Sequence, residues 1–108
     1  MVYIMVTTWF PANKAKEVGK KVIEAASKYP PDRTLTKTVL QAGIRATKEG
    51  IKSWAIGEVK EGKYKEAMAY TMETLLFYSE IEGYVYEVET LMSGIEAMPV
   101  IGLKMPEE

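Results

Sequence analysis

A chain of 108 residues, 47% hydrophobic and with a net charge of −1, has room for one domain with a modest core and none for a second. It contains neither cysteine nor histidine, which removes disulfides, thiolate nucleophiles, cysteine-held metal or iron–sulfur sites, Ser–His and Cys–His catalysis, and His-ligated haem. Its Lys and Glu residues are scattered rather than clustered, so the basic footprint of a nucleic-acid binder is missing, and no apolar run approaches the ~20 residues of a membrane helix.

The opening Met1–Val6 run lacks the basic start and small-residue cleavage site of a signal peptide. The expectation is a cytoplasmic protein that engages no membrane and no nucleic acid and that needs no metal and no cofactor. Arg33 and Arg45 are the only arginines, and Asn13 and Gln41 the only carboxamides. The Lys/Glu balance is thermophile-like, although seven Met residues weigh mildly against that reading.

Val2 to Trp9 is β-branched and aromatic with no turn residue, which predicts a strand buried on both faces and hence a central one. Pro11 suits the first position of a helix, where its missing N–H has no partner to lose. Ala15, Val18, Val22, Ala25, Ala26 and Tyr29 recur at helical spacing, and Gly19 on the same stripe predicts close packing against the sheet. Pro30–Pro31 ends the helix.

Thr34 to Lys60 reads as two long strands joined by a three-residue loop, Lys48–Glu49–Gly50, with Gly50 in the left-handed conformation. Thr47 then faces Ile51, and Ile44 faces Trp54. One face carries Leu40, Ala42, Ile44 and Ala46 with Trp54, Ile56 and Glu58. The other carries Val39, Gln41, Gly43 and Arg45 with Ser53, Ala55, Gly57 and Val59. The first set is bulky and apolar, and the helices are expected on its side; the second is small, with Gln41 and Arg45 standing on it.

A second helix is predicted from Tyr64 to Ile81, with Gly83 as its stop. Tyr84 to Met92 alternates, placing Tyr84, Tyr86, Val88 and Thr90 on one side and Val85, Glu87, Glu89 and Leu91 on the other. Residues 94–108 form a tail whose apolar segment, Met98–Leu103, is expected to pack on a partner subunit. The domain itself is residues 1–93.

The order strand, helix, strand, strand, helix, strand, with right-handed crossovers, leads to an α+β fold: the split βαβ, ferredoxin-like four-stranded antiparallel sheet with both helices on one face. Its spatial order is fourth, first, third, second strand. The uncovered sheet face calls for a cover, and oligomerisation is the simplest one. In this element order and in the long hairpin TVLQAGIRATKEGIKSWAIGEVK, the chain resembles the dimeric α/β-barrel group of ferredoxin-like proteins, in which two such sheets pack face to face. The resemblance covers residues 2–92 and implies a homodimer or higher oligomer. Its members include cofactor-free monooxygenases, lactone isomerases, haem enzymes and ligand-sensing domains, so the fold carries no single function; the haem members lack a counterpart here for want of a histidine. The start YIMVTTWFPANKAKEV is also similar to the first strand and helix of the trimeric divalent-cation-tolerance proteins, with no match beyond it.

If the helices cover the bulky face, then Gln41, Arg45, Glu87 and Glu89 look towards a partner's sheet. Arg45 can then form an ion pair with the partner's acidic strand, the bland reading, or it can fix an anionic ligand in a pocket lined by Gly43, Ala55 and Gly57. Glu87 and Glu89, two apart on one strand, are solvated edge residues or a coupled pair for proton transfer or metal binding. Tyrosines at helical positions read as core, whereas Trp9, at a strand end opening on the cleft, is the best candidate for ligand contact. The leading expectation is a non-enzymatic oligomer binding a small, partly apolar, anionic molecule through Arg45, Gln41, Trp9, Glu87 and Glu89. The alternatives are a cofactor-independent monooxygenase or isomerase, with Arg45, a Glu and a Tyr positioning substrate and proton, and a purely structural assembly subunit.

Overall fold

A computed structural model describes residues 1–106. The chain forms strand β1 (Val2–Phe10), a single 3-10 turn (Ala12–Lys14), helix α1 (Ala15–Lys28), strands β2 (Thr36–Thr47) and β3 (Gly50–Val59), helix α2 (Tyr64–Tyr78), strand β4 (Val85–Met92), a short helix α3 (Gly94–Ala97) and a last 3-10 turn (Met98–Ile101). All four strands join one antiparallel sheet in the order β2-β3-β1-β4. Read from the other edge, this is fourth, first, third, second, an arrangement compatible with a ferredoxin-like topology. Among the described residues, no helix is long and apolar enough to cross a membrane.

The prolines and glycines punctuate the chain for the expected reasons. Pro11 precedes the 3-10 turn that leads into α1, and α1 stops at Lys28, ahead of Pro30–Pro31. In the link to β2, Asp32 accepts hydrogen bonds from the Thr34 backbone N–H and hydroxyl, which hold its carboxyl below the usual carboxylate range. Gly83 takes a positive φ of 84° between α2 and β4, against the Pro11 ring. Gly19 departs from expectation: it is exposed, and a Cβ there would meet nothing within 4 Å.

The central hairpin also departs from expectation, and the difference decides which residues share a face. Its loop is two residues, Lys48 and Glu49, because Thr47 pairs with Gly50. The Thr47 hydroxyl closes the turn, accepting from the Glu49 N–H and donating to the Gly50 carbonyl. Ile44 therefore faces Ser53, and Gly43 faces Trp54; shifting the register by one residue moves side chains to the opposite face. Two irregularities follow towards the strand start. Val39 is an extra residue between the Thr38–Gly57 and Leu40–Ile56 pairs, and Gln41 and Ala42 together oppose Ala55.

Cross-strand pairing then defines two sheet faces. One presents Ile4, Val6, Thr8 and Phe10 of β1, Ser53, Ala55, Gly57 and Val59 of β3, and Tyr86, Val88 and Thr90 of β4. Both long helices lie against this small-residue face, so the expectation that they cover the face of Ile44 and Trp54 is corrected: those two residues stand on opposite faces. Ala67 of α2, only 2% exposed, packs with Ile4 and Val59, and Val6, Leu35, Met68 and Val88 surround them. Small side chains on β3 let the helix approach closely. The helices are tied together by the Lys21–Glu80 ion pair at 2.6 Å, by the Lys21 ammonium 3.9 Å from the Phe77 ring centroid, and by Tyr29 against Tyr70 and Phe77.

The other face carries Tyr3, Met5, Thr7 and Trp9 of β1, with Lys52, Trp54, Ile56 and Glu58 of β3. Neither α1 nor α2 covers it. The core is correspondingly thin: Ile4, Val18, Ala25, Val59, Ala67, Leu75 and Ile81 are its buried apolar members. A radius of gyration of 15.7 Å, against ~13 Å for a compact domain of about 100 residues, fits one sheet covered on one side. The tail is not featureless. Ser93 caps α3 by accepting from the Glu96 N–H, the Met1 ammonium pairs with Glu96, and Met105 lies against Gly94. Of the expected tail 94–108, residues 107–108 lie outside the described residues.

Candidate functional site

Between the helix-covered sheet face and the two long helices lies a cavity of about 580 Å³. Its floor is Val6, Thr8, Ser53 and Ala55, α1 supplies Val18 and Ala25, and α2 supplies Thr71, Thr74 and Leu75. Tyr78 and Tyr84, with Phe10, close one end; Gln41 and Ala42 stand at the β2 side. The space exists because β3 places Ser53 and Ala55 where larger side chains would meet the helices, while α1 and β2 leave a gap between them. Its size falls within the range of ligand pockets.

The polar content of this wall is all hydroxyl and amide. Thr8, 5% exposed, and Ser53 lie side by side on adjacent strands with their hydroxyl oxygens 2.5 Å apart. Tyr84 is stacked between Phe10 and Tyr78, at ring-centroid distances of 6.0 and 5.5 Å. Burial pushes the Tyr84 phenol up to about 12, with the neighbouring Thr8 hydroxyl partly opposing the shift; burial also raises Tyr78. Tyr70, whose hydroxyl donates to the Pro30 carbonyl, is raised by burial and by the charge of Asp32. Among the described residues, no side chain lining the cavity carries a carboxylate, ammonium or guanidinium group.

A raised phenol pKa has a defined consequence for stability. The unfolded phenol ionises near pH 10 and the folded Tyr84 phenol only near 12, so its contribution is full below about pH 10 and is lost as the pH rises through about 12. Urea unfolding at a series of alkaline pH values should show a smaller decline for Tyr84→Phe than for the parent chain. Parallel declines in the two would mean that Tyr84 is not buried as described.

The residues singled out in the sequence fall in two places. Gln41 stands at the cavity, because the bulge it forms with Ala42 separates it from the alternation that places Arg45. Arg45 is on the uncovered face, paired across strands with Lys52. Trp9 shares that face, also opposite Lys52, and the Lys52 ammonium sits 5.4 Å from the Trp9 ring and 5.1 Å from the Trp54 ring. Glu87 and Glu89 are there too, opposite Thr7 and Met5. Arg45 on β2 and the two glutamates on β4 are on strands at opposite edges of the sheet, which lie three strand spacings or about 14 Å apart, and the glutamates are further offset along β4, so one protomer does not bring them together. Among the expected pocket-lining residues, Ala55 is in the cavity wall, whereas Gly43 lies on the uncovered face beside Leu40 and Trp54. Among the described residues there is no group of three or more acidic side chains placed to hold a metal ion.

A second hollow, of about 670 Å³, sits at the Met1 end and is walled by Lys37, Glu58, Lys60, Glu61 and Tyr64. Its two Lys and two Glu side chains balance, and the Met1 ammonium that also borders it is paired with Glu96, which gives no preference for a ligand of either charge. Thr8, Ser53, Tyr78 and Tyr84 are wall residues that alternation and helical spacing assign to a sheet face or to the core rather than to a site. The signal that could have found the floor is the Thr7–Thr8 pair inside an otherwise apolar central strand. No family model matches the chain, and no curated protein and no solved structure matches it.

Proposed function

We propose that this chain is a self-associating domain of ferredoxin-like topology that binds a small, partly apolar molecule in the cavity between its sheet and helices. The observation that carries this reading is the cavity itself: about 580 Å³, with stacked aromatic rings at one end and a buried hydroxyl pair on its floor. Binding is favoured over turnover because the wall holds no carboxylate, ammonium or guanidinium to exchange a proton near neutral pH, and Tyr84 is shifted away from that range. Titration of the full chain with an environment-sensitive naphthyl fluorophore should give saturable binding, lost in Ala55→Trp, whose indole would occupy the cavity. Undiminished binding in Ala55→Trp would contradict the assignment.

Self-association is supported by surface that a lone protomer leaves exposed. Leu40, Val85, Met92, Ile95, Val100 and Leu103 are all more than a third exposed, and the uncovered face adds Trp9, Trp54 and Ile56, each half-buried. An apolar surface of this extent marks an interaction site. The same face is basic towards β2, through Arg45 and Lys52, and acidic towards β4, through Glu87 and Glu89. A copy laid sheet to sheet about a two-fold parallel to the strands would set each basic side over the other's acidic side. In this reading Arg45, Trp9, Glu87 and Glu89 belong to the interface between copies, and the tail docks beside it.

A further inference from the structure

We infer that the cavity selects an uncharged ligand with a single hydrogen-bonding end, an aryl alcohol or aryl ketone, whose polar atom docks on the Thr8–Ser53 hydroxyl pair. The inference rests on the cavity being the binding site and adds the chemistry of what enters it. Two hydroxyls hold two donor protons and four lone pairs. The bond between Thr8 and Ser53 uses one proton and one lone pair, so the pair retains lone pairs to accept from a ligand hydroxyl, while its second proton is shared between the neighbouring Tyr84 phenol and a ligand carbonyl. It is the polar group of the cavity floor, flanked by Val6 and Ala55, so a ligand atom that reaches the floor finds its hydrogen-bonding partner there, whereas Gln41, Thr71 and Thr74 stand on the walls. Phe10, Tyr84 and Tyr78 present a run of near-parallel rings, 11° and 17° between successive planes, which suits an aromatic body.

Charge is excluded by the same wall. A carboxylate docked on the cavity floor would leave water for a place with no cation among the described lining residues, and burial of an unpaired charge is strongly unfavourable. A cation would meet no carboxylate there. The environment already disfavours ionisation of the phenols that line it. Arg45, the side chain that suggested an anionic ligand, stands on the other side of the sheet.

Calorimetric titration of the full chain with para-propylphenol, propylbenzene and para-propylbenzoate separates the possibilities. The phenol should bind; propylbenzene should bind roughly ten-fold more weakly, the worth of about one hydrogen bond; the benzoate should show no saturable binding while ionised. In Thr8→Val with Ser53→Ala, which removes both partners of the buried hydrogen bond together, the phenol should fall to the level of the hydrocarbon. Should that double variant not fold, Ser53→Ala alone supplies the comparison. Equal affinity for phenol and benzoate would overturn the charge selection, and equal affinity for phenol and propylbenzene would overturn docking on the hydroxyl pair, in both cases with the cavity assignment intact. Binding of none of the three would overturn the inference, and retention of the naphthyl probe alongside it would leave the cavity assignment standing.

Discussion

Gly50→Ala should lower the thermal midpoint by roughly 12–24 °C, the consequence of a loss of about 3 kcal/mol in a domain of this size. Two independent costs add. Gly50 has a φ of +135°, a region that L side chains rarely enter, and a Cβ built on it would come within 2.7 Å of the Phe10 carbonyl oxygen, a backbone atom fixed in the central strand. Neither can relax without moving β1 against β3, and that seam carries the cavity floor. Gly62 is the internal control: its φ is also positive, at +75°, but a Cβ there would meet nothing within 4 Å, so Gly62→Ala should cost only about 1 kcal/mol. Equal thermal shifts for the two variants, read by differential scanning calorimetry, would show that the Phe10 contact is not limiting.

Arg45→Glu should weaken self-association by about ten-fold or more, read as a rise in the dissociation constant by sedimentation or light scattering. In the proposed sheet-to-sheet pairing, a third acidic group would face Glu87 and Glu89 of the second copy, replacing attraction by repulsion. Combining Arg45→Glu with Glu87→Lys and Glu89→Lys should restore association, because each copy supplies both sides of the pairing. Within one protomer their strands are about 14 Å apart and the residues further still, so recovery can only arise between copies. A triple variant no better than Arg45→Glu would contradict the sheet-to-sheet arrangement, as would a parent chain that stays monomeric at every concentration.

Much of the architecture was legible because it follows from local rules with few alternatives. Pro11 and Pro30–Pro31 bracket α1, the apolar run from Val2 marks a central strand, and Gly50 and Gly83 mark turns; each agrees with the observed elements within a few residues. The hairpin faces were not legible, for a specific reason. Lys48–Glu49–Gly50 serves a three-residue or a two-residue loop equally well, and the choice turns every side chain of β2 relative to β3. The bulges at Val39 and at Gln41–Ala42 then turn it twice more, and a bulge leaves no signature in an alternating pattern. Alternation alone therefore places Arg45 on one face with Glu87 and Glu89, as the pairing has it, but it joins Gln41 to them, which the bulge prevents, and it sets the helices on the side of Trp54 rather than of Ser53. The cavity hydroxyls were hidden by plausibility: a tyrosine near a core boundary is usually packing, and only depth of burial distinguishes Thr8 and Tyr84 from that reading.

The placement of a ligand within this fold can be observed directly by heteronuclear NMR of the full chain during titration with para-propylphenol. If the cavity is the site, saturable shift changes centre on Thr8, Ser53, Ala55, Thr74 and Tyr84, and Trp9, Arg45, Glu87 and Glu89 on the far face stay unmoved. Changes centred on those four residues instead, with the cavity floor silent, would contradict the account and return the site to the uncovered face of the sheet.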